Sequence, residues 1–357
     1  MRNRLQFLLC SDVTGYTFNP HLPEGIEFTF PDQSSVIRLK AKTDGHRDIE
    51  AKVTAVRDIS SDYRSFVENI IEKKYLVLSD CPLVLPVLDG DKELVSVAGE
   101  VVPGYSITFD MLPLGLQRVC QEVTSSMAES LVRFLSLLRW QQNASGPHAA
   151  FPHLQAGQAV PVFFWKTEHE NCHLAPLPRN QVLSVSSSGG MRWEERHRVA
   201  FGGLWSEAGA AEPLAHELLR EAKLASNENP RSALLMAYSA LEVGIKQHIG
   251  KMVPDAAWLA ENAPTPPLDK IFRDYLPKLH VESAVFAELN GSNGLAKEIG
   301  EFTKARNALA HRGENGSPPV HEYIELVSDV LYFIDALEGR AWARDHLSRK
   351  RFPPTTQ

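Results

Sequence analysis

The chain has 357 residues, of which 43% are hydrophobic and 23% charged, a composition typical of globular proteins that excludes a disordered or fibrous chain. At roughly 100 to 200 residues per domain, this length predicts two domains and leaves room for a third. The net charge of −7 excludes bulk attraction to nucleic acid or to an anionic membrane, so any site for a polyanion must be local.

The cysteines and the apolar runs indicate the cellular compartment in which the protein is expected. Cys10, Cys81, Cys120 and Cys172 lie far apart and form no C-x-x-C pair, which argues against a disulfide framework and a zinc knuckle and favours a reducing cytoplasm. The N-terminal apolar stretch is too short for a signal peptide. The most apolar later run, residues 131–140, is shorter than the ~20 residues that span a bilayer. We therefore expect a cytoplasmic protein with no membrane role.

The first part of the chain, residues 1–205, is predicted to be an α+β domain that is mostly β. Apolar and charged residues alternate in Ser35–Ala41 and again in residues 49–56, which is the pattern of half-buried strands. Further strands are predicted at residues 75–78, 83–88, 94–102, 105–109 and 161–166, with a turn at Asp89-Gly90. Residues 116–142 are predicted to form one long helix. The pattern identifies neither the fold nor the ligand of this domain.

The pattern then changes from β to α. Glycine pairs at 189–190 and 202–203 predict a linker between about 187 and 212, with the domain boundary at 206–212. Helices are predicted from Asn229-Pro230 to Gly250, over 267–279, 281–289 and 295–312, and after Ser317-Pro318-Pro319. The sequence thus predicts an all-α domain over 213–340, followed by a basic tail at 341–357.

The helix predicted over residues 295–312 carries an arginine within its apolar stripe. At 100° per residue, Arg306 lies within about 20° of Leu295 and Ile299. A buried guanidinium without a partner is strongly unfavourable, so Arg306 requires an anionic partner or an interface.

The segment that contains this arginine resembles a known family. Residues 306–311, Arg-Asn-Ala-Leu-Ala-His, resemble the signature of the HEPN superfamily, in which an arginine, usually followed by a polar residue, precedes a histidine by four to six intervening residues. Residues 236–249 resemble the preceding helix of Apea-like members, and residues 306–314 resemble the end of their motif helix. The resemblance covers about residues 213–340, about a third of the chain.

This resemblance implies an all-α bundle that forms a homodimer and, in active members, cleaves RNA without a metal ion or cofactor. In that reaction the 2′-hydroxyl attacks the adjacent phosphorus. His311 suits the general base or acid, Arg306 suits the phosphate oxygens, and Asn307, one turn before His311, is placed to orient it. We therefore expect an endoribonuclease whose N-terminal domain recognises a trigger or substrate. The resemblance suggests the biological role of an antiviral or toxin-like effector.

Two features complicate this expectation. About 140° separate Arg306 from His311 on a straight helix, so either the helix kinks or unwinds before Gly313, or the site is completed across a dimer. A HEPN subgroup paired with nucleotidyltransferase antitoxins has a tyrosine where this chain has Gly313, so regulation through that tyrosine is not expected.

The alternative hypothesis is a non-catalytic HEPN interaction module whose N-terminal domain binds the functional ligand. Arg306 would then form an ordinary ion pair with Glu242 or Glu301, and His311 would complement the helix dipole.

Three other segments favour structural interpretations. The H-x-x-C-H cluster of His169, Cys172 and His173 has no second ligand pair and favours a loop over a zinc site. Residues 191–198 mix basic and aromatic side chains and favour a solvated strand or linker over a clamp for single-stranded nucleic acid. Residues 340–357 contain five basic residues against one acidic residue and favour a frayed terminus over an element that steers RNA.

Overall fold

A computed structural model describes residues 4–19, 27–31, 35–41, 49–71, 74–76, 78–81, 86–89, 92–95, 101–103, 109–144, 162–166, 172–174, 186–192, 195–262, 266–289, 295–312 and 319–353. The chain divides into two compact units, one of Met1–Leu135 with Ala149–Gly190 and one of Ser136–His148 with Met191–Gln357. This division differs from the boundary predicted at residues 206–212.

The first unit is built on an antiparallel sheet. Its strands are β1 (Arg4–Asn19), β2 (Glu27–Pro31), β3 (Ser35–Ala41), β4 (Ile49–Asp58), β5 (Lys74–Leu76), β6 (Pro86–Asp89), β7 (Lys92–Val95), β8 (Val101–Pro103), β9 (Val162–Lys166), β10 (Cys172–Leu174) and β11 (Ser186–Arg192). The main sheet has the order β10-β9-β1-β4-β3-β2, and β11 also pairs with β1. The pairs β5–β8 and β6–β7 form separate two-stranded sheets.

The strand register places buried residues opposite one another on one face of the sheet. Phe7 lies opposite Ala55 in the β1–β4 pair, and Ile37 lies opposite Val53 in the β3–β4 pair. All four side chains are buried, whereas Val56, on the other face, is exposed. This alternation confirms the prediction of β3 and β4. Strand β1 is not predicted, because consecutive apolar residues at its start obscure the period of two.

Two helices accompany the strands of the first part of the chain. They are α1 (Ser61–Ile71) and α2 (Leu114–Gln142). Helix α2 confirms the long helix predicted over 116–142. Helix α1 is not predicted, since only Phe66 and Val67 are buried along it. Of the predicted strand at 105–109, residues 105–108 lie outside the described ranges, and Phe109 begins a 3₁₀ turn instead.

The second unit is helical. Its helices are α3 (Glu195–Ser206), α4 (Leu214–Ala225), α5 (Pro230–Met252), α6 (Ala257–Asn262), α7 (Leu268–Lys270), α8 (Leu276–Leu279), α9 (Ala284–Leu289), α10 (Leu295–Arg312) and α11 (Val320–Leu337). A π-turn over Ile271–Tyr275 joins α7 to α8. The predicted N-cap of α5 is confirmed, because the Asn229 side chain accepts a hydrogen bond from the backbone N–H of Ser232. Among the described helices, none is long and apolar enough to cross a membrane.

The prediction of a linker over 187–212 is wrong as far as Ser206, whereas residues 207–213, between α3 and α4, lie in no helix or strand. Strand β11 and helix α3 occupy most of it, and α3 buries Phe201, Leu204 and Trp205. The Gly202-Gly203 pair lies on α3, where an added Cβ would meet nothing within 4 Å. Glycine costs a helix about 1 kcal/mol relative to alanine, and the burial of three large side chains outweighs that cost.

The expectation of a frayed basic tail is also wrong for the residues up to Pro353. Residues Ala341–His346 form a 3₁₀ helix. Arg351 is buried, and its guanidinium pairs with Asp329 at 2.9 Å and with Glu298 at 2.8 Å. The tail therefore packs on α10 and α11 through a charged contact.

Candidate active site on helix α10

Helix α10 carries all three residues that the sequence singles out. Leu295, Ile299 and Phe302 are fully buried in the core that α10 shares with α5 and α11. The helix is continuous from Leu295 to Arg312. The sequence allowed the helix to unwind between Arg306 and His311, and no unwound turn is observed up to Arg312.

Arg306 lies on an aromatic platform supplied by α5. The guanidinium carbon is 5.0 Å from the centre of the Tyr238 ring, within the range of a cation–π interaction. Tyr238 is buried and contacts Phe302 edge to face at 5.4 Å. The sequence indicates Tyr238 only as a member of the apolar stripe of α5, so its contact with Arg306 depends on how α5 and α10 pack.

The charge of Arg306 has no carboxylate partner in the part of the chain that the structure describes. Glu242 pairs instead with Lys246 at 2.7 Å, and Glu301 lies 4.0 Å from Lys297. The ion pair that the alternative hypothesis requires is therefore not found with either carboxylate. A half-buried guanidinium with only an aromatic ring and an amide as partners retains the capacity to bind an anion.

Asn307 contacts Arg306 directly. The Nη1 group of Arg306 donates a hydrogen bond of 3.0 Å to Oδ1 of Asn307. The sequence assigned Asn307 to the orientation of His311, but the side chain of His311 lies outside the described part of the structure. The contact that is described fixes the guanidinium of Arg306.

The position of His311 on the helix is defined by the backbone. Residue 311 lies in the last turn of α10, about 140° around the axis from residue 306. Positions 306 and 311 of one chain therefore lie on different sides of α10. Residue 311 lies instead within about 20° of Gly300 and Lys304.

Gly300 and Lys304 line a cleft on that second side of the helix. The cleft has a volume of about 690 Å³, and Phe272, Arg273 and Asp269 also line it. Its lining combines aromatic, basic and acidic side chains, the last from Asp269 and Glu301. No sequence pattern indicated this cleft, because its residues come from segments far apart in the chain.

A second polar cluster lies in the same unit and was not predicted. Nδ1 of His248 is 2.9 Å from Oε1 of Glu338, and its Nε2 is 2.8 Å from Nε2 of His280. Burial alone would raise the pKa of Glu338, but hydrogen bonds from His248 and Lys251 outweigh burial and lower this pKa to about 2. Burial, followed by the nearby charge of His248, lowers the pKa of His280.

The described residues contain no group of three or more His, Cys, Asp or Glu side chains arranged to hold a metal ion. Of the H-x-x-C-H cluster, His169 lies outside the described ranges, and the side chains of Cys172 and His173 in β10 are not described.

Comparison with known proteins gives no match among models of protein families, none among curated proteins and none among solved structures.

Proposed function

We propose that this protein is a metal-independent endoribonuclease of the HEPN type, and that two copies of the chain together form its active site. The observation that carries the proposal is the half-buried guanidinium of Arg306, which lies on Tyr238 and has no carboxylate partner among the described residues. Its position within the R-x₄-H pattern is the second support.

Arg306 binds the phosphate that is cleaved. A guanidinium presents a planar fork of N–H donors that fits two phosphate oxygens. The Tyr238 ring and Asn307 hold this fork in place, so little side-chain entropy is lost when the phosphate binds. The partial burial of Arg306 also strengthens its attraction to the charge that develops on the phosphorane.

His311 transfers the protons. One histidine takes the proton from the 2′-hydroxyl as its oxygen attacks phosphorus, and another gives a proton to the departing 5′-oxygen. The products are a 2′,3′-cyclic phosphate and a 5′-hydroxyl. Because positions 306 and 311 lie on different sides of a continuous helix, we infer that a two-fold interface brings the two motifs face to face in a shared cleft.

The N-terminal unit recognises the trigger or the substrate in this proposal. The activity belongs to the class of antiviral or toxin-like effectors that act inside the cell.

The test is RNA cleavage in EDTA by the wild type, His311→Ala and a matched control, His321→Ala, whose residue is exposed on α11. We expect His311→Ala to lower the cleavage rate by roughly 100-fold or more, the scale for loss of a general acid or base. Its melting temperature should stay close to that of the wild type, and His321→Ala should leave both unchanged. Cleavage by His311→Ala at the wild-type rate would exclude the nuclease mechanism and favour the interaction module.

A further inference from the structure

A cluster of buried charges joins the end of α2 to α4, away from the motif helix. Arg220 on α4 is 4% exposed, and its Nη1 donates to Oε1 of Glu212. The other carboxylate oxygen of Glu212 accepts a hydrogen bond of 3.0 Å from Ser136. Lys223, one turn after Arg220, donates a hydrogen bond of 2.6 Å to Oδ1 of Asn143, just beyond the last turn of α2. The cluster thus holds two cations and one carboxylate whose two oxygens are already used.

The guanidinium of Arg220 is only partly satisfied. Its Nε and Nη2 are both buried and have no hydrogen-bond partner in the described part of the chain. Leaving a buried charged donor without an acceptor is more costly than the loss of an ordinary hydrogen bond. An acceptor beside Arg220 would remove that cost.

The charged side chains at this place carry more positive than negative charge. Burial, followed by the charge of Arg220, lowers the pKa of Lys223 to about 8. Arg139, Arg220 and Lys223 meet at this place, together with Glu212 as the single carboxylate among the described residues there. An acceptor that is also negative therefore fits the cluster better than a neutral one.

A small cavity lies where these groups meet. It has a volume of about 10 Å³, and Arg220, Lys223 and Arg139 are among the residues that line it. This is about the space that one particle of the size of a water molecule occupies. A polyatomic oxyanion such as phosphate is too large for it, whereas a halide ion is of similar size to water.

We propose that Arg220 and Lys223 form a site for one chloride-sized monovalent anion. The anion accepts hydrogen bonds from the free N–H groups of Arg220 and from the ammonium of Lys223, and it links the end of α2 to α4. Only the folded chain assembles these donors, so anion binding stabilises the fold. At anion concentrations above the Kd, this stabilisation increases with the logarithm of the concentration.

The first test is thermal unfolding of the full chain at constant ionic strength, with sodium gluconate replaced stepwise by sodium chloride. We expect the Tm to rise by roughly 3 °C or more as chloride increases, and to keep rising with the logarithm of the chloride concentration once the site is saturated. Lys223→Met should lose most of this rise, while Lys278→Met, at an exposed lysine, should keep it. An equal Tm of the wild type in chloride and gluconate would overturn the proposal, as would a full chloride response in Lys223→Met.

The second test does not depend on how a variant folds. Crystals of the wild-type chain grown in bromide should show an anomalous scattering peak within hydrogen-bond distance of Arg220 and Lys223. A water molecule at that position, without anomalous signal, would show that the cavity holds neutral solvent and that the proposal is wrong.

Discussion

The indole N–H of Trp140, in the last turn of α2, donates a hydrogen bond of 2.9 Å to Oδ2 of Asp335, 195 residues later on α11. The Nε2 atom of His216 lies 3.0 Å from the same oxygen, and the hydroxyl of Tyr332 donates to the backbone carbonyl of Trp140. These buried contacts explain why residues 136–148 belong to the helical unit although they lie between the two segments of the first unit in sequence.

The Trp140 contact leads to a prediction about stability. Trp140→Phe removes one of the donors to a buried carboxylate, so we expect a loss of about 1 to 3 kcal/mol in the free energy of unfolding. Trp258→Phe, at a tryptophan that is 72% exposed, should change it by no more than about 0.5 kcal/mol. Urea unfolding measures both, and equal effects at the two positions would contradict the role of Trp140.

Two glycines on α5 should respond to alanine with opposite signs. A Cβ on Gly244 would lie 2.2 Å from Cδ2 of Leu331 and 3.3 Å from Cβ of Ala215, so the buried Leu331 side chain must change its rotamer or the helices must move apart. A Cβ on Gly250 would meet Ala257 at 3.5 Å, which is an ordinary contact. We expect Gly244→Ala to destabilise the protein by about 1 to 3 kcal/mol and Gly250→Ala to stabilise it by up to about 1 kcal/mol. Chemical denaturation of both variants would decide, and a stabilised Gly244→Ala would show that α5 does not approach α11 so closely.

The proposed nuclease depends on the shape of the Arg306 side chain as well as on its charge. Arg306→Met removes both, and we expect cleavage to fall by roughly 100-fold or more, the usual scale for loss of a group that stabilises the transition state. Arg306→Lys keeps the charge but not the fork, so most of the loss should remain. The cleavage rate at saturating RNA measures this effect, with Arg349→Met, at an exposed arginine, as the control. Full activity in Arg306→Lys would mean that a point charge is sufficient.

A shared active site predicts how mixed dimers behave. If both copies of His311 act in one cleft, a dimer of one wild-type and one His311→Ala chain is inactive. In an equimolar mixture of wild-type and His311→Ala chains that exchange at random, about a quarter of the dimers are wild type. The mixture should then retain about a quarter of the activity of the same total amount of wild-type protein, whereas independent sites would retain about half. Light scattering should show the dimer at micromolar concentration. A strict monomer, with or without RNA, would rule out the two-fold site.

The low pKa of Glu338 predicts a loss of stability in acid. Its pKa of about 2 in the folded chain lies below the ordinary value of 4.5, so the unfolded chain takes up the proton first as the pH falls. The stabilisation from Glu338 should be complete above about pH 4.5 and should disappear as the pH approaches 2. The difference in unfolding free energy between wild type and Glu338→Gln should therefore shrink over this range. A difference that does not change with pH would mean that the contact with His248 does not depend on the carboxylate charge.

The sequence was informative where one element buries one continuous face. Strands β3 and β4 and helices α2, α10 and α11 have such faces, and their residues repeat with the period of the element. The cap of α5 was predicted for a similar reason, because Asn229 and Ser232 interact within one turn.

The remaining features depend on residues that are distant in sequence. The Gly202-Gly203 pair resembles a linker until the burial of Trp205 is known, and Arg351 resembles part of a free tail until Glu298 and Asp329 are placed beside it. The contact of Arg306 with Tyr238 and the cluster of Arg220 and Lys223 also join separate helices. The amino-acid pattern by itself determined those helices and strands that bury one continuous face, because hydrophobic periodicity is local. Only the tertiary structure decided which charges are paired, because pairing depends on which helices pack together.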